Sequence, residues 1–186
     1  MRYAVTAALV SILLANSAFA APAKKLGPEL EPLGFLVGTW TAGQGQVVDT
    51  VGAAAGRSAF SIEAGGGALL RRDHTSLKGP NGKRAGRLDQ VMLIYPEGGG
   101  LRADYSDGGH VIHYASAEVT PGRSVVFRSA PQPDTPSFRL TYAAAPGDVL
   151  TVKFEMAAPG GADFKPLAEG QMTRRPPRAK RKRAEA

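Results

Sequence analysis

Residues 33–40, LGFLVGTW, decide the fold. An apolar run ends there in Gly38-Thr39-Trp40, and Trp40 is the only tryptophan of the chain. Just upstream, Leu30, Leu33, Leu36 and Val37 fall at spacings of three and four, which is one face of a short helix. Pro28 suits a first turn, and Glu29 and Glu31 favour its positive end. Pro32 and Gly34 keep the helix short. Gly38 lets the chain turn, and Trp40 then opens an extended segment. The expectation is a short helical lid leading into a closed barrel, with Gly38 and Trp40 closing one end.

Downstream, the chain reads as ten short strands with turns between them. They are expected at 39–50, 57–64, 68–78, 87–95, 101–105, 110–119, 123–129, 137–143, 149–156 and 163–173. Gly65-Gly66-Gly67, Gly79-Pro80-Asn81-Gly82, Asp107-Gly108-Gly109 and Ala145-Pro146-Gly147-Asp148 are among the separators. No helical stretch intervenes, so parallel crossovers are not expected. The pattern predicts an all-β fold, a roughly ten-stranded antiparallel up-and-down barrel. A barrel of that size has room for an interior cavity.

The two ends of the 186-residue chain read differently from its middle. Met1-Arg2 gives a minimal basic start, residues 4–14 are apolar apart from Thr6 and Ser11, and Ala18-Phe19-Ala20 fits a signal-peptidase site. Residues 1–20 are therefore expected to be a cleaved leader, with no membrane span left after cleavage. There is no cysteine. An exported chain without disulfides points to a bacterial periplasm or exterior.

Residues 21–173 carry 15 Lys or Arg against 15 Asp or Glu. Residues 174–186 carry seven basic residues against Glu185 alone. The net +7 of the chain thus describes its end, not its body. A neutral body argues against a nucleic-acid binder. The barrel domain is expected over 28–173. Arg174, Arg175, Arg178, Lys180, Arg181, Lys182 and Arg183 are expected in a disordered basic tail suited to anionic lipid or acidic polysaccharide.

The block around Gly38 and Trp40, with Gly43 and Gly45 after it, resembles the opening of lipocalin-like or calycin-like barrels. It looks closest to bacterial barrels of the group that contains the nitrobindin-type haem proteins. The resemblance implies that the tryptophan packs across the barrel bottom under a short N-terminal helix. It also implies a haem-ligating histidine near the end of the barrel. This chain has His74, His110 and His113 and none later, so haem in that arrangement is not expected. What the resemblance leaves is a barrel holding a small apolar ligand, with no cofactor.

Candidate ligand contacts follow from strand alternation. Within 68–78, Leu70, Arg72, His74 and Ser76 share one face, and Leu69, Arg71, Asp73 and Thr75 share the other. If the first face points inward, Arg72 and His74 form a polar patch. His113 shares a face with Val111, Ala115, Ala117 and Val119, an apolar face expected inward. Tyr105 offers an apolar wall with a polar tip. A metal is not expected, because His110 and His113 lie on opposite faces of one strand.

No Gly-x-Ser-x-Gly or His-Glu-x-x-His motif occurs. The leading expectation is an exported, monomeric, non-enzymatic barrel that binds a small hydrophobic or amphipathic ligand. The alternative is a structural or envelope-interaction barrel acting through its basic tail. A cofactor-free enzyme using a pocket histidine is the third reading.

Overall fold

The computed structural model describes residues 24–47, 54–79 and 81–176. The expected leader (1–20) and most of the expected tail, including Arg178, Lys180, Arg181, Lys182 and Arg183, lie outside the described residues.

The lid is a 3-10 helix over Glu31–Leu36. Its leucines explain the tighter winding. Leu30, Leu33 and Leu36 recur every three residues, so at three residues per turn they stack on a single line. All three are buried, at 1%, 0% and 0% exposure. Pro32, near the helix start, has no N–H to give an α-helical ladder. The helix is tied down by the Gly122 amide, which donates to the Pro32 carbonyl at 3.0 Å.

Ten antiparallel strands follow: β1 (Gly38–Val47), β2 (Ala54–Glu63), β3 (Ala68–Lys78), β4 (Arg84–Glu97), β5 (Gly100–Ser106), β6 (Val111–Thr120), β7 (Ser124–Ser129), β8 (Ser137–Ala145), β9 (Val149–Ala157) and β10 (Lys165–Arg174). Each pairs with its sequence neighbour, and β10 pairs back onto β1, which closes the barrel. Closure leaves no sheet edge to template association. Among the described residues, no helix is long and apolar enough to cross a membrane.

The core fills the Trp40 end. Leu33, Leu36, Trp40, Phe60, Leu69, Met92, Ile94, Val125, Phe127 and Leu150 pack there as one cluster. Trp40 is 2% exposed, and its Nε1 donates to the Leu36 carbonyl at 2.8 Å. The expected plug is thus fixed both by burial and by its one polar atom.

Arg174 is where the expected domain boundary moves. It is the last residue of β10, paired with Trp40 in the ladder, rather than the first residue of a tail. Its guanidinium lies 4.1 Å from the Trp40 ring centroid. It donates to the Phe35 carbonyl at 2.9 Å and to the Val37 carbonyl at 2.5 Å, and contacts Asp148 at 3.3 Å. The Arg175 amide donates to the Thr39 carbonyl at 2.8 Å. The two Arg174 bonds cap the Phe35 and Val37 carbonyls at the exit of the 3-10 helix.

Candidate functional site

A cavity of about 530 Å³ occupies the barrel interior on the far side of this core. Tyr114, Leu140, Tyr142 and Met172 belong to both, so they form the boundary between packed and open interior. Leu77 and Leu88, at the opposite end of the barrel from Trp40, carry the lining outward. The volume suits a drug-sized ligand.

The polar groups come mainly from β3, where the inward face is Leu69, Arg71, Asp73 and Thr75. Ladder register dictates this. Phe60, an inward core residue of β2, stands opposite Arg71, and Ser58 stands opposite Asp73. Directly paired residues share a face of the sheet.

Arg71 and Asp73 are 7% and 9% exposed. The Arg71 Nε donates to an Asp73 carboxylate oxygen at 2.7 Å, and Nη2 donates to the same oxygen. Nη1 donates to the Tyr142 hydroxyl. The other Asp73 oxygen accepts from the Ser58 hydroxyl at 2.6 Å. Burial alone would push the guanidinium toward losing its proton, but the adjoining carboxylate more than reverses that, so Arg71 stays charged. The pair is neutral as a unit.

Three tyrosines complete the wall. Tyr142 packs edge-on against Phe60, with centroids 5.6 Å apart. Tyr105, expected from the sequence as a ligand contact, does line the cavity. Its hydroxyl accepts from Gln90 Nε2 at 2.5 Å, and burial raises its pKa. Tyr114 lies against Phe127. Burial holds both the Tyr114 and Tyr142 phenols above their ordinary range, so both are neutral donors at neutral pH.

The other expected contacts lie outside the cavity. Arg72 and His74 are exposed on the outer face of β3, because the inward face is the alternate one. His74 Nδ1 stands 2.7 Å from Asp89, which also accepts from Arg87 at 2.8 Å. His113 is likewise on the outside, 2.6 Å from Asp104. Its expected face is broken by a β-bulge. From Tyr114 to Ser116 on β6 the ladder advances two residues, while β7 advances one, from Ser129 to Arg128. The extra residue, Ala115, reverses the alternation. Val111 and His113 therefore face solvent, while Ala117 and Val119, beyond the bulge, pack on the core.

Gly38 and Trp40 sit as expected at the closed end. Gly38 has φ +125°, and a Cβ there would fall 2.8 Å from an Arg174 nitrogen. The backbone demands glycine, and a Cβ would in addition push the Arg174 guanidinium out of its place. Arg174 and Arg175 are held against the barrel end, as described above.

Among the described residues, no group of three His, Asp or Glu side chains is placed to hold a metal. The site as built can bind and orient a molecule. It offers an apolar wall, phenol donors and one neutralised ion pair.

No protein-family description matches the chain. No curated protein matches it either. Among solved structures, that of EF1p2_mFAP2b bound to DFHBI aligns with 79% of this chain and 99% of its own, at 9% identity and a TM-score of 0.41. The barrel assignment rests on the strand pairing itself.

Proposed function

We propose that the chain is a non-enzymatic barrel that holds one small hydrophobic or amphipathic molecule in its interior. The observation that carries this reading is the cavity of about 530 Å³, walled by apolar and tyrosine side chains over a buried Arg71–Asp73 pair. Apolar burial supplies the affinity, at roughly 25 cal/mol per Å² before the costs of association. A few buried polar atoms fix the orientation. A calycin-like ancestry, suggested by residues 33–40, fits this reading. Export, for which the sequence of residues 1–20 speaks, belongs to the same proposal. It places mature Ala21 at the N-terminus, which N-terminal sequencing of the secreted chain would check.

Arg71 and Asp73 are engaged with each other, and none of the three histidines lines the cavity. This favours binding without turnover. The test is native mass spectrometry of the purified chain after incubation with Nile red, an uncharged apolar dye. A one-to-one adduct that is released on denaturation is expected. A spectrum holding only the free chain at saturating dye would overturn the proposal.

A further inference from the structure

Among the buried polar side chains of the cavity wall, Tyr114 stands apart. Tyr142 is bonded to Arg71, Tyr105 to Gln90, Asp73 to Arg71 and Ser58. Tyr114 is 2% exposed, and its hydroxyl makes no hydrogen bond to any described residue. Among the described residues, no fully enclosed side-chain nitrogen or oxygen lacks a partner. The Tyr114 hydroxyl is therefore not sealed in the core but touches the open cavity that its side chain lines. Open to the cavity and without a protein partner, it is free to donate to a molecule that enters.

The charges around it narrow what that is. Arg71 is the only cation lining the cavity among the described residues, and its guanidinium is already taken by Asp73 and Tyr142. The other charged lining residues are the carboxylates Asp107 and Glu169, toward the surface. A ligand carboxylate would lose its hydration and meet no free cation. A ligand ammonium would find Asp73 neutralised, Asp107 occupied by the Gly109 and His110 amides at 2.9 Å and 2.7 Å, and Glu169 exposed at the rim, where water screens it.

Resting on the ligand-binding reading above, we propose that the cavity takes an uncharged, mostly apolar molecule whose carbonyl or ether oxygen accepts a hydrogen bond from Tyr114, beside the Arg71–Asp73 pair. The phenol donates, the ligand oxygen accepts, and no bond is made or broken.

The experiment compares three probes of similar chain length by calorimetry on the full chain at pH 7: 2-undecanone, decanoate and decylammonium. The ketone is expected to bind at least tenfold more tightly than either ion. Tyr114→Phe, which keeps the ring, is expected to weaken the ketone about fivefold to tenfold without lowering the melting temperature. Decanoate or decylammonium binding as tightly as the ketone would overturn the proposal while leaving a ligand-binding barrel standing. So would an unchanged ketone affinity in Tyr114→Phe. Binding of none of the three, together with no Nile red adduct, would remove the ligand-binding reading itself. The wild-type comparison decides the charge preference even where the variant folds poorly.

Discussion

Arg71 and Asp73 stand two residues apart on one strand, both inside the barrel, and their side chains meet as a neutral pair at the head of the cavity. Two charges out of water are tolerable only together. Asp73→Asn leaves a buried guanidinium without its counter-charge and is expected to cost about 3–5 kcal/mol. Urea unfolding monitored by circular dichroism checks it. The double change Arg71→Met, Asp73→Leu is expected to recover most of that loss, because it removes both charges at once. A double variant no more stable than the single one would contradict this description of the pair.

The opposite end of the barrel makes its own prediction. Arg174 lies over Trp40 and bonds two carbonyls at the lid exit. Lysine cannot reproduce that fork or its stacking. Arg174→Lys is expected to lower stability by about 1–2 kcal/mol. It is also expected to shift the emission of Trp40, the chain's single tryptophan, to the red. Gly38→Ala should do at least as much harm, since its φ of +125° is closed to alanine and its Cβ would strike Arg174.

The barrel was legible in the sequence because its signals are local. Glycine and proline turns separated ten strands, and β3 begins and ends where the pattern placed it. The lid and the Trp40 plug were legible for the same reason. The site was not, because it depends on which face of two strands points inward. On β3 the adjacent leucines Leu69 and Leu70 left hydrophobicity nearly silent on the choice. The missing signal lay across the hairpin: Ile62 opposite Leu69 and Phe60 opposite Arg71 put Arg71 and Asp73 inside. On β6 the alternation was read as unbroken, and the bulge at Ala115 turned His113 outward. A bulge is a property of the paired ladder and leaves no fixed mark on one strand's composition. Tyr105 was named for its residue type, a ring with a polar tip, and it is the regular alternation of β5 that turns it to the cavity.

The buried phenols predict an alkaline limit. Tyr114 and Tyr142 are held above their ordinary pKa by burial. Their neutral forms are favoured in the fold, so the stabilisation is complete below the unfolded value near 10 and is lost as pH rises above it. In ultraviolet titration of the native chain, these two should not ionise in the normal range. They should appear only with unfolding. Ionisation of every tyrosine near pH 10 in a folded chain would contradict their placement.

An acid limit follows from the outer face. Glu155, 3% exposed, accepts from Arg139 at 2.6 Å and 2.9 Å and lies 2.9 Å from Lys153. The Arg139 bonds pull its pKa down to about 2 against burial, with Lys153 adding to the effect. A lowered folded pKa gives stability that is present above the unfolded value near 4.5 and is lost as pH falls toward 2. The melting temperature is expected to drop between pH 5 and 2, and Glu155→Gln should flatten that drop while lowering stability at pH 7.

The most direct test is a fluorescence titration of Nile red against the wild-type chain and Ala168→Trp. Ala168 lines the cavity from β10, and a tryptophan there fills open space rather than packed core. Wild type is expected to give a saturable, one-site rise in emission. The variant should lose it while keeping the wild-type circular dichroism spectrum. Equal binding by both chains would place the dye outside the barrel and contradict an interior ligand site.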